Sequence, residues 1–288
     1  MKTPPLVSVI CLCYNHSHYV VEAMASVLRQ SYNNCELIVV DDASSDESVD
    51  VIERFRQLNP SVKFIRLSKN AGNCRAFNHG LRISRGEFII DLAAEDVLMP
   101  ERIEEGLKAF QRAGTEYGVN FTDAEYIDAD GTLLYRHSDR FPHHTVPQGD
   151  VYKELIQRYF ICPPSMMFSR KVMDHLRGYD ESLAYEDFDF WIRSSREFKY
   201  CYTPQVLVKK RILANSLSSR QFVRGRGRNH QQTTYMVCEK IYYLNRNREE
   251  RRALAARLVY EMKSSVNMLH FRIFLKFAYL FFKNIFKI

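Results

Sequence analysis

Alternation constrains this chain more than any other feature. Through the first 115 residues, short continuous apolar runs take turns with segments of helical spacing. Residues 6–13 form the first apolar run, and residues 18–30 follow with Val20, Val21, Met24, Val27 and Leu28 at helical intervals. Residues 36–40, 62–67 and 87–92 read as further strands, with helices over 48–58, 74–83 and 101–113. A strand that is apolar on both faces must be covered on both. The pattern therefore predicts an α/β fold with a parallel sheet sandwiched by helices. In such sheets ligands sit beyond the carboxyl ends of the strands.

Three of those ends are polar. Tyr14 and Asn15 follow the first run, Asp41 and Asp42 end the second, and Glu95 and Asp96 follow the fourth in "IIDLAAEDVLMPERI". "SKNAG" after the third run adds another loop to the same edge. Asp46 and Glu47 are explained as first-turn acids of a helix, and Glu95 and Asp96 ahead of Pro100 have the same reading open to them. That reading leaves Asp41 and Asp42 unexplained, since carboxylates ending a buried strand need a donor or a ligand. A base N–H is a suitable partner for Asp42. Glu95 and Asp96 also suit Mg²⁺ or Mn²⁺, which bind through a few carboxylates plus substrate phosphates.

After Tyr117 the pattern changes. Alternating runs around Asp130-Gly131 predict a β-hairpin, residues 150–160 a helix, and "PPSMMFSR" a buried strand leading to a short helix that stops at Gly178. A helix over 186–198 and one or two strands over 199–211 follow. In "YEDFDFWIR", Asp187 precedes an apolar face carried by Phe190 and Trp191. It reads either as a helix cap or as a general base whose pKa is raised by apolar surroundings.

Charge is uneven. From Ser218 onward there are 15 Lys/Arg against 4 Asp/Glu, whereas the remainder of the 288 residues is mildly acidic. The run "RGRGR" lacks interleaved aromatics, and with an acidic body this argues against nucleic acid as a partner. Seven cysteines are scattered without a C-x-x-C pair, and the histidines form no metal-binding helix pair, so neither a zinc site nor a disulfide framework is expected. The opening "MKTPPLVSVICLCYN" reads as a first strand rather than a signal peptide, pointing to a cytoplasmic protein. The closing "MLHFRIFLKFAYLFFKNIFKI" groups Arg272, Lys276, Lys283 and Lys287 on one side of a helix. It reads either as a helix lying at the inner face of a membrane through residues 268–288, or as one packed on the domain or a second copy.

Taken as a set, the motifs resemble GT-A fold glycosyltransferases of the family 2 type. The resemblance covers residues 5–220. It rests on "VSVICLCYN", "ELIVVDDASSDES", "NAGNCRAFNHGLRISRGEFIIDL", "LAAEDVLMPERI" and "GYDESLAYEDFDFWIR" in that order. It implies a mostly parallel GT-A sheet in residues 1–217, with a donor-binding half over 1–115 and an acceptor-binding half over 116–217. A basic helical extension over 218–288 follows.

The resemblance further implies transfer of a sugar, with inversion, from a nucleotide-diphospho-sugar, a UDP-sugar first among candidates. The acceptor would be a hydroxyl on a saccharide or lipid-linked molecule in surface polysaccharide or glycolipid assembly. By position, Tyr14, Asp42, Arg75, Ala94 and Glu95 would bind the donor, Glu95 and Asp96 a Mn²⁺ or Mg²⁺ ion, and Asp187 would act as base. Glu186, Trp191 and Arg211 are candidates for diphosphate or acceptor contacts. Two departures stand out. Ala93 replaces the first aspartate of the D-x-D motif, with Glu95 in place of the second, and Leu213 occupies the position of a histidine often present in the family. Arg211 or the arginines of residues 224–228 are candidates to supply the missing positive charge. The alternative is a degenerate GT-A module that binds nucleotide or a partner without turnover.

Overall fold

The computed structural model describes residues 3–141, 145–213 and 227–286. The expected start of the extension at Ser218, the arginines at 224 and 226, and Lys287 lie outside them. The chain divides into two compact units. One comprises Met1–Gly149, Ile161–Glu181 and Phe198–Ile212, the other Asp150–Phe160, Ser182–Glu197 and Leu213–Ile288.

The first unit holds the sheet. Its strands are β1 (Val7–Cys13), β2 (Cys35–Asp41), β3 (Lys63–Arg66), β4 (Phe88–Ala93), β5 (Val97–Leu98), β6 (Tyr117–Ile127), β7 (Leu133–Arg136), β8 (Met167–Ser169) and β9 (Lys199–Arg211). The order is β3-β2-β1-β4-β8-β6-β9-β5, with β7 paired to β6. The first four strands run parallel, Ile10 standing opposite Ile38 on one side and Asp91 on the other. β8 is antiparallel to β4 and β6, while β9 is parallel to β6. The last segment is thus one long strand, irregular in register, and the hairpin at Gly131 (φ 88°) joins β6 to β7.

Helices α1 (Val20–Leu28), α2 (Ser48–Leu58), α3 (Asn73–Ile83) and α4 (Arg102–Ala113) alternate with the parallel strands, and α6 (Arg170–Leu176) follows β8. All seven residues of β1 are buried, as its unbroken apolar run requires. One core layer joins Val9, Cys11, Met24, Val39, Ile90 and Ile103. On α3, a Cβ at Gly80 would lie 2.5 Å from the Ile10 side chain, so a bare backbone lets this helix settle directly on β1.

The second unit is helical: α5 (Tyr152–Gln157), α7 (Asp187–Ser195), α8 (Arg228–Leu244), α9 (Arg248–Asn267) and α10 (Phe271–Phe286). The helices expected over 150–160 and 186–198 are shorter than their sequence patterns. The extension is not merely a solvated tail, since Val237, Ile241, Leu254, Leu258, Phe277 and Leu280 are buried. Its interior also holds charge. The Arg257 guanidinium lies 4.4 Å from the ring centres of both Tyr159 and Phe188 and pairs with Glu261 at 2.7 Å. Among the described residues, no helix is long and apolar enough to cross a membrane.

Candidate active site

Because β2, β1 and β4 are parallel neighbours, the residues that follow them share one edge. The turn after β1 is fastened to the turn after β2. Asn15, in the left-handed region at φ 58°, accepts at its side-chain oxygen from the Ser45 backbone N–H (2.7 Å). Its own N–H donates to Ser44 Oγ (2.9 Å). The His16 and Ser17 backbone N–H groups donate to Ser48 Oγ and the Asp46 carboxylate. Asp46 and Ser48 therefore serve the turn as well as the helix start.

Asp41 is buried and accepts from the Ser44 backbone N–H and hydroxyl. Asp42 accepts from the Ala71 N–H (2.6 Å) and the Gly72 N–H (2.9 Å), one on each oxygen. It thereby fixes the "NAG" loop, where Gly72 at φ 84° opens α3. Each oxygen keeps a second lone pair. Beside this turn a cavity of about 500 Å³ is lined by Ala43, Ser44, Arg66, Leu67 and Ser68. Tyr14, just after β1, is exposed, and Ala94, just after β4, is buried.

Glu95 and Asp96 follow β4 in a different setting. Glu95 Oε2 lies 3.0 Å from His16 Nδ1. Burial pulls the His16 pKa down, but the Glu95 carboxylate together with the charges of Asp96 and Asp46 outweighs it and holds the imidazole above its usual value. Asp96 is buried and accepts from the Arg211 backbone N–H at 2.8 Å. Burial first, then the Glu95 charge, pushes its pKa up to about 7. His16 was not singled out by its sequence spacing. What marks it is its place one residue beyond Asn15 on this edge.

Arg211, at the end of β9, is also buried. Its guanidinium donates to the carbonyls of Glu95, Asp128 and Ala129 and to the Glu22 carboxylate at 2.6 Å. It stacks 4.9 Å from the Tyr19 ring centre. This arginine closes the turn from behind, binding α1, the β6–β7 hairpin and the Glu95-Asp96 backbone together.

The "GYDE" segment packs on α3. Asn78 donates to the Tyr179 carbonyl and accepts from the Tyr179 N–H, both at 2.9 Å, and Arg75 approaches Glu181 at 3.6 Å. A Cβ at Gly178 would fall 2.6 Å from Asn78 Oδ1, so only glycine permits this approach. Asn78 is a second residue that sequence reasoning did not select.

In the second unit, α7 begins at Asp187, with Glu186 at its N-cap, and both are half-buried. Trp191 is buried, its ring centre 5.5 Å from that of Tyr159. Asp189 is buried between Lys240 Nζ (2.6 Å) and Arg193 Nε (2.7 Å). The preceding loop is tied to α8, with the Ala184 N–H donating to Thr233 Oγ1 and the Tyr185 hydroxyl bonded to Thr234 Oγ1.

Among the described residues, no three His, Cys, Asp or Glu side chains converge as a complete metal cage. The donor chemistry at Glu95 still fits Mg²⁺ or Mn²⁺, because these ions take one or two carboxylates and complete their shells with substrate phosphates and water.

The profile of the family described as "Glycosyl transferase family 2" matches residues 8–177, more than half of the chain. The chain belongs to glycosyl transferase family 2. It is a glycosyltransferase. It is 28% identical over 212 residues to an uncharacterized glycosyltransferase of Methanocaldococcus jannaschii, covering 72% of this chain and 71% of that protein. It is also 29% identical over 196 residues to chondroitin synthase of Escherichia coli, covering 68% of this chain but only 27% of that longer protein.

Among solved structures, S. aureus TarS 1–349 in complex with UDP-GlcNAc aligns with a TM-score of 0.72 at 17% identity, over 96% of this chain and 79% of that one. The mannosyltransferase PcManGT from Pyrobaculum calidifontis, in complex with GDP-Man and Mn²⁺, aligns with a TM-score of 0.67 at 15% identity, over 97% and 74%. These likenesses establish the GT-A fold expected of the family.

Proposed function

We propose that the protein is an inverting glycosyltransferase using a UDP-sugar to build a surface polysaccharide or glycolipid. The observation that carries this reading is the edge where Tyr14, Asp42 and Glu95 follow adjacent parallel strands beside a 500 Å³ cavity. Support for the donor comes from TarS, solved with UDP-GlcNAc, and for the product class from chondroitin synthase. The roles are assigned by motif position. Asp42 would accept from a base N–H through its remaining lone pairs, with Tyr14 against the base, Arg75 as a further contact and Ala94 along the donor.

Glu95 would hold a Mn²⁺ or Mg²⁺ ion together with donor oxygens, with Asp96 behind it. PcManGT, solved with Mn²⁺, supports that assignment. Such an ion neutralises charge gathering on the departing diphosphate. Asp187 would take the proton from the acceptor hydroxyl as that oxygen attacks the anomeric carbon from the face opposite the diphosphate. The bond to the diphosphate breaks and its oxygen keeps the electron pair. No second protein carboxyl is needed, because a diphosphate already leaves readily. Glu186 and Trp191 would position the acceptor. Arg211 would act through the Glu95-Asp96 backbone it grips.

In Asp187→Asn protein, transfer from a UDP-sugar should fall by about 10²–10⁴-fold while UDP affinity is retained. Undiminished transfer would remove Asp187 from the reaction. Ala93 and Leu213 favour a second reading, a module that binds nucleotide without turnover. UDP binding by wild-type protein that turns over no nucleotide sugar, with Mn²⁺ present, would establish it.

The protein would work in the cytoplasm, on the inner face of a membrane that presents a lipid-linked acceptor. Residues 268–288 would supply the attachment. The exposed Phe271, Leu275, Tyr279, Phe282 and Phe286 of α10 support this placement.

A further inference from the structure

The helical unit contains a second cavity, of about 340 Å³, unrelated to the sugar-transfer motifs. It is lined by Arg248, Arg251, Arg252 and Ala255 of α9 and by Asn284 and Ile285 of α10. The three arginines occupy the first turn and a half of a 20-residue helix, where cations oppose the helix dipole. The acids nearby are hydrogen-bonded elsewhere, although the Glu249 charge also feels Arg252. Glu249 pairs with Lys153, and Glu250 receives Arg196 and the Arg246 N–H. Among the described residues, none of the three arginines forms an ion pair with a carboxylate.

Asn284 supplies an independent sign of a ligand. It is 3% exposed, and its Nδ2 donates to the Arg251 carbonyl at 2.9 Å. Its Oδ1 is buried with no hydrogen-bond partner. An acceptor left unsatisfied beside three guanidinium groups suits a molecule carrying both an anionic phosphate and a hydroxyl.

The neighbouring surface says where such a molecule would come from. At about 100° per residue, Phe271, Leu275, Tyr279, Phe282 and Phe286 fall within roughly 80° of one another on α10. All five are exposed, whereas Ile273, Phe277 and Leu280 on the opposite side are buried in the unit. Arg272, Lys276 and Lys283 flank this stripe on one side, and exposed Ile285, which also lines the cavity, flanks it on the other. An apolar stripe with cations along one side, and the arginine-lined cavity reached past Ile285 on the other, is the chemistry of a helix seated in a lipid interface.

We propose that Arg248, Arg251, Arg252 and Asn284 form a site for the phosphate headgroup of an anionic glycerophospholipid, engaged when the α10 stripe enters the bilayer. The site rests on the membrane attachment proposed above and gives it a specific ligand. Arginine forks grip phosphate in a way that lysine point charges cannot, so the site is distinguishable from diffuse attraction.

The test is cosedimentation of the full chain with phosphatidylcholine vesicles, with and without about one third phosphatidylglycerol. Wild-type protein should bind the mixed vesicles. Arg248→Gln/Arg251→Gln/Arg252→Gln should weaken that binding on the order of 100-fold, and the triple Arg→Lys variant on the order of tenfold. Circular dichroism of both variants should match the wild type. Leu275→Ser/Phe282→Ser should weaken binding to both kinds of vesicle.

If wild-type protein binds neither vesicle, the membrane reading falls and the site with it. If wild-type protein binds mixed vesicles and the Lys variant binds equally well, attachment stands and the headgroup site is overturned. Complete release of the protein by inorganic phosphate at constant ionic strength would assign the cavity to a soluble anion and also overturn the proposal.

Discussion

Two turns on one sheet edge each carry a pair of adjacent carboxylates, and their surroundings are opposite. Every oxygen of Asp41 and Asp42 accepts from a backbone N–H or a serine hydroxyl. At the other turn, Asp96 has a pKa of about 7 because burial and the Glu95 charge both resist its ionisation, and Glu95 leans on an imidazole. The first pair is satisfied by fixed dipoles that hold loop geometry. In the second, burial and the Glu95 charge leave Asp96 resisting ionisation, which a nearby cation would ease. Adjacency of acids along the chain is therefore no guide to whether their charge is already met. The loops that surround them decide it.

Within the two turns, the largest expected effect is at Glu95. Glu95→Gln should lower cation-dependent transfer on the order of 100-fold and weaken the apparent Mn²⁺ affinity, as read by Mn²⁺ titration of turnover. An unchanged titration would break the contrast between the turns. Asp42→Ala comes next. It strands the Ala71 and Gly72 N–H groups and should cost about 2–3 kcal/mol in urea unfolding. Asp96→Asn keeps an acceptor for Arg211 and should not destabilise the protein.

The pH response sharpens the same point. Asp96 is raised from an unfolded value near 3.8 to about 7, and His16 is raised above 6.5. In both cases the native state binds protons that the unfolded state releases. Their stabilising contribution is complete below the unfolded values and is lost as pH rises through the folded ones. With a chelator present, the urea midpoint should therefore decline from about pH 5 to pH 8. Asp96→Asn should flatten that decline, and an equally steep slope in the variant would place the titrating group elsewhere. The smallest effect is at the exposed Arg75–Glu181 pair. Arg75→Ala should alter stability by less than about 0.5 kcal/mol, so any large rise in KM for the donor would report substrate contact.

The parallel half of the sheet was legible because β1, β2 and β4 carry apolar runs and the helices between the strands keep strict spacing. Val7–Cys13 could hardly be anything but a buried strand. The polar edge followed from strand direction alone. Residues whose role depends on distant partners were illegible. Arg211 reaches Glu22, 189 positions away, and Asn78 bonds Tyr179, 101 positions away. No local pattern encodes such separations. His16 was hidden because, with His18 two residues on, it reads as a chance pair in a loop and matches no metal-binding helix spacing. Asp189 is one of three acids in "YEDFDFWIR", and nothing local marks it as the one buried between Lys240 and Arg193.

The reciprocal bonds joining Asn15 and Ser17 to Ser44, Ser45 and Asp46 carry a consequence for anyone wishing to redesign donor choice. Neither turn owns its conformation, since each is the template for the other. A graft of one turn from a homologue would arrive without its mould, while moving both together would transplant a self-consistent part.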